Sequence, residues 1–315
     1  MNLLASLRYL VALNEHRHFG RAAQACHITQ PALSNALRAL EEEFGAVIVK
    51  RGRNFGGFTA EGERVLTSAR VMLREREVLQ QELDSHAGRP QGSLTLGAVP
   101  TAVPVAARFA AQLQARHPGI MATVRSMSSP EIEAGLDELS LDLGLGYTDR
   151  LGEHGARFSV VPQYTERYYL VRRASRPQAK GMRLEGTVSW LDAAALPLCL
   201  LTPEMHNRTI VDSAFALAGA DVKPAMETNS ILTLVLCTAE GQLCSVVPGA
   251  VLATVRDNRA LAAQALIHPE LQTPVGFMAA PTARASRTLD AALTLAAEPL
   301  WLDHVARHSG SMQGA

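Results

Sequence analysis

Apolar positions at the N-terminus repeat with the period of an α-helix: Leu3, Leu4, Leu7, Leu10, Val11 and Leu13 share one face. A short alanine-rich segment from Phe19 to Cys26 follows, and then a second amphipathic run begins after Ile28. At about 100° per residue, Leu33, Leu37, Leu40 and Phe44 form a stripe expected to be buried. Pro31, Ser34, Asn35, Arg38 and Glu42 fall opposite it. Thr29 is placed to cap this helix, and Pro31 lies in its first turn, where no N–H is needed. Two short helices joined this closely predict a helix-turn-helix, with Ala22, Ala23 and Ala25 allowing a close crossing.

The pattern then changes period. "AVIVKRGRNFGGFTAEG" alternates through Ile48 and turns at glycines, predicting a β-wing that carries Lys50, Arg51 and Arg53. Thr59 caps a long helix from Ala60 to about Ser85, whose apolar positions Val65, Ala69, Met72, Leu79 and Leu83 leave a stripe with no partner in the same chain. Such a helix is expected to pair with a copy of itself. After a linker, "HAGRPQG", strand and helix patterns alternate twice, through "SLTLGAV" and "LDLGLGYTD" and again through "RYYLVRR", "LPLCLLTP" and "LCSVVP". Alternation of this kind predicts parallel sheets with helical crossovers, in two α/β lobes with a ligand cleft between them.

A length of 315 residues suits more than one domain, and 47% hydrophobic with 19% charged residues suits a globular chain. Net charge is zero; residues 1–89 hold 12 Lys/Arg against 10 Asp/Glu, so gross charge alone would not reveal a nucleic-acid binder. The chemistry lies in the placement: short polar side chains and one arginine at the front of the second helix suit base edges. Glu41-Glu42-Glu43 keep the rear of that helix from phosphates. Cys26, Cys199, Cys237 and Cys244 form no C-x-x-C pair and have no metal-spaced histidines beside them, so reduced thiols and no bound metal are expected. Arg8 interrupts a secretory signal and no apolar run reaches the roughly 20 residues that span a bilayer, so a cytoplasmic location without a membrane partner is expected. The sequence holds no G-x-S-x-G, H-E-x-x-H or Walker loop, and an enzyme is not expected.

The motif "FGRAAQACHITQPALSNALRALEEEFG" and, in the second lobe, "ETNSILTLVLCTAEGQLCSVVPG" resemble the LysR-type bacterial transcriptional regulators, and the resemblance covers essentially the whole chain. It implies an N-terminal all-α winged helix-turn-helix (1–59), a linker and dimerisation helix (60–88), a two-lobed Rossmann-like α/β effector domain similar to type 2 periplasmic binding proteins (89–305), and a flexible tail (306–315). Lobe I would span 92–162 and 268–305, and lobe II 163–267. The DNA face would be Gln30, Pro31, Ser34, Asn35 and Arg38, with Arg51 and Arg53 on the wing; Val49 stands where many members carry an aromatic. The implied partners are duplex DNA bearing an interrupted palindrome, a second copy of the chain in a dimer or tetramer, and RNA polymerase. The co-inducer would be a small molecule and there would be no other cofactor. Loops at strand C-termini carry Pro100, Thr101, Ser128, Ser129, Tyr147, Thr202, His206 and Asn229; with nearby helix N-termini these suggest a small anionic effector. The alternatives are a redox-sensing regulator of the same architecture using Cys or Met oxidation, and a small-molecule binder or enzyme without DNA binding.

Overall fold

The computed structural model describes residues 2–52, 55–84, 89–151, 157–176, 181–281 and 285–309. Arg53, the side chain of Arg51, linker residues 85–88 and the tail from 310 lie outside them. Two compact units separate, residues 1–87 with 138–140, and 88–137 with 141–315.

In the first unit, Asn2 accepts from the Ala5 N–H and starts α1 (Leu3–His16). His18 caps α2 (Phe19–Ala25), and Thr29 caps α3 (Gln30–Phe44) by accepting from the Ala32 N–H at 3.3 Å. Gly45, at a left-handed φ of 60°, closes α3, a conformation that glycine adopts without strain. Leu7, Leu10, Leu13, Ala22, Ala23, Leu33, Leu37 and Leu40 interlock as one core. Phe44 does not join them, contrary to the periodicity: α3 ends there and its ring is 43% exposed, lining an apolar recess with Leu7, Val65 and Met72.

The wing is an antiparallel pair, β1 (Val49–Arg51) and β2 (Phe55–Phe58). Its root is pinned by Glu41, whose carboxylate accepts from the N–H groups of Ile48 at 2.9 Å and Val49 at 3.0 Å. This acidic residue therefore holds the wing to the end of α3. Thr59 caps α4 (Ala60–Asp84) through the Gly62 N–H at 2.9 Å. A side chain at Gly62 would meet the Ile48 carbonyl at 2.2 Å, so only glycine lets α4 leave the wing this closely. Leu66 and Ala69 bury the start of α4 in the core, while Met72, Leu79 and Leu83 stay exposed along one stripe.

The second unit holds two sheets. Lobe I arranges β3 (Gly92–Ala98), β4 (Ile120–Ser126), β5 (Leu143–Tyr147), β6 (Ser159–Glu166) and β13 (Thr273–Ala279) in the order β4-β3-β5-β13-β6. Helices α5 (Val103–Arg116), α6 (Ser129–Asp137), α11 (Arg287–Ala297) and α12 (Pro299–His308) belong with it. Lobe II orders its strands β10-β9-β11-β7-β12-β8. Their ranges are β7 (Tyr168–Arg173), β8 (Arg183–Ser189), β9 (Leu198–Leu201), β10 (Met226–Thr228), β11 (Cys244–Pro248) and β12 (Leu261–Ile267). Helices α7 (Trp190–Ala194), α8 (His206–Leu217), α9 (Ile231–Glu240) and α10 (Gly249–Leu252) complete the element order.

Three departures from the sequence reading follow. Neither sheet is purely parallel: β13 runs antiparallel to β5 and β6, and β7 antiparallel to β11 and β12, because the chain crosses between lobes twice and returns reversed. The lobe border expected at 162 falls inside β6, which stays in the lobe I sheet to Glu166; Arg167 alone separates it from β7. The tail expected from 306 is helical to His308, since Trp301 is fully buried and its indole N–H donates to Gln163 at 2.6 Å. Gln163 in turn donates to the Ala296 carbonyl at 2.9 Å, tying β6 to the C-terminal helices.

Candidate nucleic-acid interface and interlobe cleft

Gln30, Pro31, Asn35 and Arg38 are exposed on α3 and Ser34 is half-buried beside them. The cap at Thr29 and the core stripe on the opposite side fix which way they face. Arg38 donates to the Asn35 side chain at 3.4 Å, which holds the guanidinium along the helix. Lys50 is exposed on β1. The structure therefore brings the five predicted α3 residues onto one surface. The side chains of Arg51 and Arg53, the other two candidates, are outside the described residues.

Five of the eight expected effector residues fall into two sets. Pro100, Ser128 and Asn229 line an interlobe cleft of about 530 Å³ with Ser126, Met127, Glu131, Glu204 and Met205. Glu131 accepts from both the N–H and the hydroxyl of Ser128 at 2.8 Å, and these bonds hold its carboxyl below the ordinary carboxylate range. Thr202 donates to Glu204 at 2.7 Å and lowers that carboxyl in the same way. Two ionised carboxylates thus face the cleft, one from each lobe, and among the described residues its lining includes no lysine or arginine. The Ser128 N–H at the start of α6, one of the donors available at this strand end, is taken by Glu131.

Thr101 and Tyr147 form the second set, and they lie inside the protein. The Thr101 hydroxyl meets the Tyr147 hydroxyl at 2.8 Å, so it bonds a neighbouring side chain instead of facing open space. Asn207, from α8 of lobe II, donates to the same phenol at 3.2 Å, making Tyr147 a bridge between lobes. Tyr147 also donates to Glu166 at 3.3 Å, and Tyr164 donates to the other oxygen of that carboxyl at 3.3 Å. Glu166 is wholly buried at the end of β6, and burial pushes it up to about 8. Burial beside Glu166 likewise raises Tyr147, Tyr164 and Tyr168 well above the ordinary phenol range.

His206 packs edge-on against Tyr147, with ring centroids 5.2 Å apart. Arg150 approaches its Nδ1 at 3.4 Å, so a neutral ring carries its proton on Nε2. That nitrogen stands 3.9 Å from Asp149, beyond hydrogen-bond length, and the imidazole keeps Asp149 below the ordinary carboxylate range. The Ser129 hydroxyl and His206 Nε2 are buried without a partner among the described residues.

Sequence reasoning missed Glu131, Glu204, Asn207 and Glu166. The Ser128-x-x-Glu131 spacing was a usable capping-box signal. Nothing local marks Glu166, because glutamates are rarely buried and only the two chain crossings enclose this one.

Comparison with known proteins bears on both regions. Residues 4–63 match the model for the bacterial regulatory helix-turn-helix protein, lysR family, and residues 87–300 match the LysR substrate binding domain. The chain is 28% identical over 282 residues to the DNA-binding transcriptional dual regulator OxyR of Escherichia coli strain K12, covering 88% of this chain and 89% of that one. It is 30% identical over 249 residues to a hydrogen peroxide-inducible genes activator of Pectobacterium carotovorum, covering 78% and 79%. Among solved structures, a full-length OxyR variant from Pseudomonas aeruginosa aligns with a TM-score of 0.68 at 23% identity, covering 93% and 96%. CbnR complexed with its target DNA aligns with a TM-score of 0.60 at 20% identity, covering 97% and 99%. These structural likenesses speak to the fold.

Proposed function

Because this chain belongs to the LysR family of bacterial transcriptional regulators, we propose that it binds an interrupted palindrome as a homodimer joined through α4, pairs into a tetramer, and answers to a small molecule held between its lobes. It acts in the cytoplasm, without catalysis, by changing how RNA polymerase is met at the promoter. The observation that carries the DNA reading is the face of α3, where Gln30, Ser34, Asn35 and Arg38 stand together opposite a sealed apolar stripe. Arg38→Ala and Gln30→Ala should each lower discrimination between cognate and scrambled DNA by about 1–3 kcal/mol. Lys50→Ala should weaken both DNAs alike and flatten the salt dependence. Competition binding at two salt concentrations separates the two behaviours, and equal losses on both DNAs for all three variants would refute these roles.

The cleft chemistry favours a neutral or positively charged polar effector over an anion, since Glu131 and Glu204 both line it. A small organic amine that contacts both lobes favours one interlobe geometry, with a reach of about 1–3 kcal/mol at the DNA. A binding amine near 100 times its dissociation constant should raise the melting temperature by roughly 5–10 °C. The rise should vanish in the double variant Glu131→Gln, Glu204→Gln. Carboxylates that stabilise the wild type more than amines do would contradict this choice.

The names of the peroxide-inducible relatives raise redox sensing as a second possibility for this chain. Burial holds the Cys26 and Cys244 thiols above their ordinary range and pushes Cys199 up to about 11. Peroxide attacks the thiolate, so these three are poor targets. Metabolite sensing is the better supported reading.

A further inference from the structure

Three sulfur atoms converge in lobe II, away from the cleft. Cys199 on β9 pairs in register with Met226 on β10, so both side chains rise from adjacent strands. Cys237, three residues before the end of α9, packs over them and donates its S–H to the Met226 thioether at 3.5 Å. Cys237 is also among the neighbours that, after burial, hold the Cys199 thiol above its ordinary range. Around the cluster are Leu201, Leu234 and Val247, all buried. Cys199 is fully buried, whereas Cys237 and Met226 are half-buried, which leaves one side for entry.

We propose that Cys199, Cys237 and Met226 form a binding site for a soft monovalent metal ion, of which Cu(I) is the physiological type. Thiolate and thioether donors select Cu(I) over harder ions, and low coordination numbers suit an ion held by two or three sulfurs. Zinc requires a fuller set of nitrogen, sulfur or oxygen ligands, and among the described residues no three His, Cys, Asp or Glu side chains cluster to supply it. A disulfide would give Met226 no part, and a peroxide-driven one needs a thiolate where the apolar surroundings favour the thiol. Binding is a ligand exchange without electron transfer. Cu(I) displaces the proton from each thiol, two sulfur–metal bonds form, both protons leave to solvent, and the thioether adds a third bond.

The site has a route to the regulated surface. Asn229 lines the cleft and Ser230 caps α9, and Met226 lies on the strand just before them. Clamping Cys237 to β9 and β10 fixes α9 where it borders the effector.

The test is titration of the full-length reduced protein with Cu(I) under nitrogen, against a Cu(I) chelator strong enough to keep isolated thiols empty. Wild type and Cys26→Ser should each take up a single equivalent, with a sulfur-to-metal charge-transfer band in the ultraviolet. Cys237→Ser should lose both the band and the equivalent, and Met226→Leu should retain the band but yield its metal to less chelator. Should Cys237→Ser fail to fold, alkylation of the wild type gives the same information: Cu(I) should protect Cys237 from iodoacetamide while Cys26 still reacts. The proposal is overturned by uptake that is unchanged in Cys237→Ser, by equal labelling of Cys237 with and without Cu(I), or by a Cys199–Cys237 disulfide that forms on mild oxidation in protein unable to hold the ion.

Discussion

Glu166→Gln is expected to stabilise the two-lobed unit by roughly 4 kcal/mol near pH 7.5 and by little below about pH 4.5. The cause is the buried carboxyl, held at about 8 in the folded chain against an ordinary 4.5. Tyr147 faces it from β5, Tyr164 from β6 and Tyr168 from β7, and Asp149 lies within electrostatic reach of Tyr168. No cationic group is among the causes that set the carboxyl's affinity for its proton. Folded protein therefore keeps the proton where unfolded protein has released it. Stability falls as pH rises from about 4.5 to about 8 and is flat above that, because only in this window do the two states differ in bound protons. Glutamine keeps the shape and one accepting oxygen, its NH2 can donate to the other phenol, and it cannot ionise. Urea melts of both proteins between about pH 4 and pH 9 should diverge steadily through this window. Parallel curves would place the charge of Glu166 outside the buried cluster. The consequence reaches beyond stability, because Tyr147 links Glu166 to Asn207 across the lobes. A charged Glu166 would draw the phenol proton toward itself and alter the bridge that sets interlobe geometry.

Placing aspartate at both Met72 and Leu79 should dissociate the dimer. Both side chains are exposed in the single chain, at 45% and 53%, and share a stripe with Leu83 at 62%. A 25-residue helix that leaves such a stripe uncovered is stabilised by a partner. An unpaired carboxylate buried in that seam costs on the order of 3–5 kcal/mol, and twofold symmetry doubles each substitution. The dimer should weaken by at least about a hundredfold, leaving monomer at micromolar concentration. The core of the DNA-binding unit should survive, because Leu66 and Ala69 bury the start of α4 from its other side. Light scattering reads the mass and far-ultraviolet circular dichroism the helix content. An unchanged mass with unchanged helix content would move the dimer interface away from α4.

The helical periodicity of residues 3–44 was enough to place α1, α2 and α3, the Thr29 cap and the exposed polar face of α3, because these contacts are local in sequence. Phe44 was an exception, as were Leu3 and Leu4, since periodicity does not reveal where a helix stops and its stripe loses cover. In the second unit β3, β5, β7, β9 and β11 were legible one by one, but β6, β8, β12 and β13 were not read, nor were the antiparallel pairings. β13 pairs with β5 and β6 across more than a hundred residues, and no local pattern encodes an antiparallel return of that length. The same gap hid the site chemistry. Hydroxyls at strand ends were visible, yet whether they meet a ligand or one another depends on packing: Thr101 turned out to bond Tyr147, while Glu131 and Glu204 turned out to face the cleft.

Footprinting on genomic fragments tests the central claim most directly, that a dimer reads a dyad through α3. Wild type should protect two half-sites on one face of the duplex, with centres about one helical turn of 10–10.5 bp apart or a multiple of it. Arg38→Ala should lose both halves together at modest salt. Protection of a single site without a dyad, or a dyad protected equally by Arg38→Ala, would contradict the account.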